Sequence, residues 1–234
     1  RNVGFSYGDH EVLKDVTFVI NAGERVSLVG ASGAGKSTLA QIMIGLDTPS
    51  RGSIEVNGVD TRVAELHSLR ARVGYVFPEN QIIPGTVLEN ITLGRVVSQE
   101  DLQWTLRMAH LTESVRDLPN GLDTQLTATG ENLSFGMRRR ILFARMIMSK
   151  PDVLIIDEAF EGIEDAVKLS MLDDLMAWPH WTIINISHDP EVVHRTSYVH
   201  VLQEGRITES GTPQELHSKA GTFCSLFPVG GHHG

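Results

Sequence analysis

Residues Gly30 to Thr38 read "GASGAGKST", and no other stretch constrains the fold of this chain as strongly. They match the spacing G-x-x-x-x-G-K-[ST]. The apolar run "RVSLVG" leads into them, and "LAQIMIGL", with helical spacing, follows. Strand, glycine turn and helix in that order build a phosphate cradle. The glycines let backbone N–H groups curl around phosphate oxygens, and the helix N-terminus adds its dipole. Gly30, Ser32, Gly33, Ala34, Gly35 and Thr38 are the expected cradle. Lys36 is the cation for the β- and γ-phosphates, and Ser37 the hydroxyl for Mg²⁺. ATP with Mg²⁺ is the expected ligand pair.

The remaining pattern frames that loop. "NVGFSYGDHEVLKDVTFVINAGE" alternates apolar and polar around Gly8-Asp9, with Val16, Phe18 and Ile20 on one face, and predicts antiparallel strands. "GSIEVNGVDT" reads as strand and turn, "RVGYVF" as a short strand, and "PENQIIPGTVLENI" as a loop with two prolines. From Ser98 to Lys150 the spacing is mostly helical, interrupted by "DLPNGLDTQLTATG". Two buried-strand runs, "DVLIID" and "WTIINIS", flank the amphipathic "AVKLSMLDDLMAW", and "YVHVLQEGRITESG" reads as a closing hairpin. The expectation is an α/β fold: a P-loop NTPase core with a mostly parallel sheet, an N-terminal antiparallel β subdomain and an inserted helical subdomain. Residues 1–81 and 151–225 would form the ATP-binding core and 82–150 the helical insertion. Residues 226–234 would be a tail, whose "GGHHG" has no structural logic. The opening at Arg1, inside a strand pattern, reads as a piece of something longer.

Two further strand ends carry chemistry. "VLIIDE" finishes in Asp157, suited to hold Mg²⁺, and Glu158, suited to polarise an attacking water. "NISHD" puts His188 at the same kind of sheet edge, in reach of a γ-phosphate. "SKPD" (Ser149 to Asp152) has the wrong first residue for a guanine-reading motif and precedes a strand, so adenine is the expected base. A formal charge of -9 argues against nucleic acid as a partner, which needs a basic surface. The single cysteine, Cys224, excludes an internal disulfide, and no apolar run is long enough to span a membrane.

Tyr7, the glycine-rich loop, "LSFGM", "VLIIDE" and "SHD" occur in this order over essentially the whole chain. In this the sequence resembles the nucleotide-binding domain of ATP-binding-cassette (ABC) transporters. "IIPGTVLENI" and "GRITESGTPQEL" are most similar to the exporter-type branch. The resemblance implies two such domains clamped head-to-tail around two ATP molecules, coupled to a transmembrane domain at the cytoplasmic face of a membrane. Each ATP would lie on one chain's P-loop and under the other chain's signature, usually LSGGQ. It also implies that Tyr7 stacks on adenine, Glu158 is the catalytic base, His188 holds the γ-phosphate, and Ser134 and Gly136 cap the partner's ATP.

Three departures from the family pattern stand out. Pro78 occupies the place of a glutamine that touches Mg²⁺ and couples to the transmembrane domain. Phe160, Glu161 and Glu164 replace the small residues and aspartate usual after the Glu158 position. Phe135 stands where the signature has glycine. Ser134 remains a good N-cap and the helix after it should form. A benzyl group there must either turn aside or hold the partner's ATP away. The arginines Arg138, Arg139 and Arg140 read as a solvated or subdomain-contact face. The expectation is an intact own site with a degraded cap, the asymmetry of heterodimeric exporters. A regulatory module that binds ATP with little hydrolysis is the alternative.

Overall fold

The apolar runs that read as buried strands become Arg25–Val29, Val153–Asp157 and Thr182–Ile186. The computed structural model describes residues 1–77 and 81–228, and of Leu66 the backbone alone. Thr182–Ile186 lies in the middle and pairs in parallel with both other strands. All three are buried almost end to end, which is why their sequences lack polar alternation. Tyr198–Gln203 adds in parallel on the free side of Arg25–Val29, and Arg206–Gly211 closes that edge antiparallel. The tight turn between these last two is Glu204-Gly205, both at positive φ (49° and 79°), the combination a two-residue type I′ hairpin needs. A Cβ on Gly205 would lie 2.2 Å from the Val12 carbonyl oxygen, so no other residue fits that turn without a shift.

At the N-terminus Val3–Tyr7 pairs antiparallel with His10–Val16, burying Val3, Phe5, Leu13 and Val16. The strand ends there, at Val16 directly after Asp15 (φ 61°), so Phe18 and Ile20 do not continue it as expected. Phe18 instead packs on His200, with ring centroids 4.6 Å apart. Glu55–Val56 and Val59–Asp60 form a second small hairpin around Asn57-Gly58, also both left-handed.

The chain groups into two compact units. One comprises Arg1–Val73, Asp152–Asp157 and the segment from His180 on; the other comprises Gly74–Pro151 and Glu158–Pro179. The division therefore differs from the expected 82–150 insertion. Residues 158–179 join the helical unit because their apolar side chains pack there: Phe160 lies 5.9 Å from Phe143, and Trp178 lies 5.3 Å from Trp104. Within this second unit run the helices Val87–Thr92, Gln99–Met108, Thr112–Arg116, Phe135–Ile147 and Asp165–Ala177. Val87–Thr92 lies in the stretch read as loop; a capping box between Thr86 and Glu89 starts it. Arg145 ties it to the helix Phe135–Ile147, donating to the Asn90 carbonyl (2.7 Å), Asn90 Oδ1 (2.8 Å) and the Gln81 carbonyl (3.0 Å). In the first unit the expected tail boundary falls inside packed structure. Leu226 ends the helix Thr222–Leu226, and Phe227 is buried with Phe223, Val199 and Val201. Among the described residues no helix is long and apolar enough to cross a membrane.

Candidate functional site

The three parallel strands finish side by side. Ile186 is in register with Leu28 on one neighbour and with Asp157 on the other. Their next residues therefore leave the sheet at one carboxyl edge, where open α/β sheets bind ligands. Gly30 leads out at φ 154°, and a Cβ there would lie 2.1 Å from the Leu202 carbonyl oxygen of the adjacent strand. Only a glycine passes. Gly33 and Gly35 turn the loop at φ 78° and 103°, and Gly35 is the N-cap of the helix Lys36–Met43. Ala31, Ser32 and Gly33 face solvent, Ala34 and Gly35 are buried, and Thr38 is half-buried.

Lys36 is itself buried, and its Nζ arcs back over the loop to donate to the carbonyls of Gly30 (2.7 Å) and Ala31 (3.0 Å). A full positive charge thus sits in the mouth of a backbone turn, the arrangement an anion requires. One turn on, Ser37 Oγ donates to Asp157 Oδ2 at 2.8 Å, and Asp157 is 2% exposed at the strand end. A hydroxyl and a buried carboxylate are hard oxygen donors of the class that holds Mg²⁺ beside phosphate, so the residues present fit that ion.

His188 emerges two residues beyond the strand Thr182–Ile186 and is exposed at its ring. Its pKa lies below the usual imidazole range. Loss of water around it is the larger cause and the Lys36 ammonium the next, with Asp157 opposing them. Near neutral pH the ring is therefore uncharged, one nitrogen being a donor and the other an acceptor. Tyr7 ends the strand Val3–Tyr7, is 52% exposed, packs edge-on to Phe5 at 4.8 Å, and its hydroxyl reaches Gln41 of the Lys36–Met43 helix at 3.4 Å. Tyr7, the loop, Lys36, Ser37, Asp157 and His188 thus belong to one compact unit.

Glu158, Ser134 and Gly136 belong to the other unit. Glu158 leaves the strand half-buried at φ 49°, an uncommon conformation for a residue with a Cβ. Ser134 caps the helix Phe135–Ile147, its Oγ accepting from Met137 N at 3.1 Å. Gly136 sits close to Gly162: a Cβ on it would come within 3.0 Å of the Gly162 carbonyl oxygen. The edge of the Phe135 ring lies against Gly162 of the same chain. The three arginines make contacts inside their own unit: Arg138 donates to the Thr129 carbonyl at 3.0 Å, Arg139 is buried near Glu161, and Arg140 donates to the His110 carbonyl and Ser114 Oγ. Pro78 lies outside the described residues. Sequence reasoning missed Gln41 and Gly162. Nothing local marks Gly162, because its importance lies in what packs on it.

A family model described as ABC transporter matches residues 13–161. The chain is 33% identical over 229 residues to the transport/processing ATP-binding protein ComA of Streptococcus pneumoniae, covering 97% of this chain and 32% of that protein. It is 35% identical over 235 residues to the ATP-dependent lipid A-core flippase of Francisella tularensis, covering 98% of this chain and 38% of that one. A solved structure of a bacterial Atm1-family ABC exporter with ATP bound superposes with a TM-score of 0.92 at 31% identity, over 96% of this chain and 40% of that chain. The chain therefore spans about a third of the length of the curated relatives it matches.

Proposed function

The chain belongs to the ABC transporter family, and from that premise we propose that it is the ATP-hydrolysing motor domain of an exporter-type transporter. It would pair head-to-tail with a second such domain on ATP and drive substrate through a transmembrane domain, at the cytoplasmic face of a membrane. The observation that carries this reading is the convergence of Lys36, Ser37, Asp157 and His188 on one sheet edge.

In this reading Lys36 exchanges the carbonyls of Gly30 and Ala31 for the β- and γ-phosphates, while the loop N–H groups from Gly33 to Thr38 hold their oxygens. Ser37 and Asp157 hold Mg²⁺, which when bound supplies positive charge to the phosphate oxygens. Tyr7 offers its exposed ring to adenine. Glu158 takes the proton of the attacking water as general base. His188, neutral near pH 7, donates an N–H to the γ-phosphate without adding a second cation beside Lys36. Ser134 and Gly136 cap the partner's ATP, since the helix they begin has its N-terminus there.

A regulatory module that binds ATP and barely hydrolyses it is the second reading, favoured by Pro78 and Phe135 in the sequence. The ring of Phe135, turned onto Gly162, weakens half of that case. Calorimetry and turnover of Glu158→Gln decide. The motor reading expects ATP–Mg²⁺ affinity to persist and turnover to vanish, because the amide is nearly isosteric yet cannot accept the proton. Hydrolysis at the parental rate would hand the role of Glu158 to the regulatory reading. Loss of measurable ATP binding by the parent chain would remove both.

A further inference from the structure

The helix Phe135–Ile147 begins with a large ring at its first residue, and that ring is 46% exposed. Its resting place is specific. A Cβ built on Gly162 would lie 2.2 Å from Phe135 Cδ1 and 2.5 Å from Cε1, so the ring edge occupies the space that any side chain at 162 would need. Gly162 itself sits at φ 71°, a conformation that suits glycine. Arg139 and Arg138 bring their guanidinium carbons to 5.0 and 5.5 Å from the ring centroid, within cation–π range. Arg139 Nη2 also lies 3.8 Å from Glu161 Oε2, next to Gly162 in the chain. On the other flank of Gly162, Ile163 is buried, as is Phe160 two residues before it. The start of the signature helix and the segment after Glu158 therefore meet twice, through the Phe135 ring and through Gly136.

We propose that Phe135 and Gly162 form a latch within one chain. Gly162 is the socket that draws the ring off the Ser134–Gly136 backbone, leaving that backbone available to cap the partner's ATP. The pair of positions, not position 135 alone, decides whether this signature works. Phe135 is a positioning residue rather than a phosphate ligand, and its bulk no longer disqualifies a second copy of this chain as the partner. The inference rests on the head-to-tail reading above. It goes further by assigning competence to the signature and by naming the residue outside it on which that competence depends.

The test uses the 234-residue chain in four forms: parent, Gly162→Ala, Phe135→Ala and both, each also carrying Glu158→Gln so that ATP persists. ATP-driven dimerisation is measured by sedimentation, and thermal midpoints are recorded in parallel. With Phe135 present, Gly162→Ala should raise the dimer Kd at least tenfold, because the new methyl evicts the ring toward the signature. In the Phe135→Ala background the same change should alter Kd less than threefold. The thermal midpoints should show the same non-additivity. A Gly162→Ala protein that dimerises like the parent overturns the latch. So does a double variant as weak as Gly162→Ala alone, since backbone strain at φ 71° would then explain the loss. Phe135→Ala tightening the dimer tenfold by itself would mean the ring obstructs from where it lies. If all four bind ATP and none dimerises, the head-to-tail reading fails and the latch's role with it. That failure is recognisable because the parent fails too.

Discussion

Acid should cost this chain stability through one buried imidazole, and the cost follows from the environment of His200. The residue is 6% exposed on the strand Tyr198–Gln203, its ring centroid 4.6 Å from Phe18 and 5.3 Å from Tyr198. Nδ1 pairs with Ser210 Oγ at 2.7 Å, and Nε2 is buried without a hydrogen-bond partner. Charging such a ring strands an N–H in an aromatic pocket. Burial accordingly pushes its pKa from 6.5 down to about 4, against a smaller opposing pull from the Glu24 carboxylate. Between those two values the unfolded chain carries a proton on His200 that the folded chain lacks. Stability is therefore full above pH 6.5 and falls as the pH drops through the window toward about 4. Between about pH 7.5 and about pH 4.5 the loss comes to about 2.5 kcal/mol from this group alone.

His200→Phe removes the proton and suits the aromatic pocket, and its packing cost does not depend on pH. Urea unfolding of parent and variant at the two pH values isolates the effect, because other acid-sensitive groups such as Glu215 and Asp101 act alike in both proteins. Glu24 is the exception, since His200 contributes to lowering its pKa, but that contribution is its smallest cause. The variant should lose about 2.5 kcal/mol less than the parent. Parallel losses would show that His200 takes up its proton inside the folded chain, and the buried-neutral account of this strand would be wrong.

What the sequence disclosed about this fold tracks how local the determinants are. Arg25–Val29, Val153–Asp157 and Thr182–Ile186 were legible because strands covered on both faces must be apolar throughout. The loop from Gly30 to Gly35 was legible because its backbone needs glycine at positive φ, a demand visible in one chain segment. The helix Val87–Thr92 was overlooked although "TVLE" spells its capping box, since six residues are too few for a periodic signal. Alternation misled at Phe18 and Ile20, where the apolar side chains continue after the strand has ended. The boundary of the helical unit was invisible for a different reason. Residues 158–179 follow a core strand in the chain, yet Phe160 and Trp178 find their partners in Phe143 and Trp104. Phe135 shows the limit most directly. Sequence posed the choice between turning aside and obstructing, but the place where the ring rests is set beside Gly162, a residue with no side chain to advertise it.

Two further substitutions test the frame around the site. Gly205→Ala places a methyl 2.2 Å from the Val12 carbonyl oxygen at φ 79° and should destabilise the chain by about 2 kcal/mol or more in urea unfolding. A neutral result would mean the hairpin yields freely. Lys36→Ala should separate binding from folding. In the free chain Nζ satisfies the carbonyls of Gly30 and Ala31; Ala31 is exposed, so water can replace that bond, and the stability cost should stay near 1 kcal/mol. ATP loses more, because a charge-assisted contact to phosphate contributes about 1.5–3 kcal/mol, or roughly tenfold to over a hundredfold in Kd. Calorimetry should therefore find ATP–Mg²⁺ affinity weakened by at least about tenfold in a protein whose thermal midpoint has moved only a few degrees. Unchanged affinity would mean that Lys36 keeps its carbonyl partners when ATP binds, and the loop would lose its role as the phosphate site.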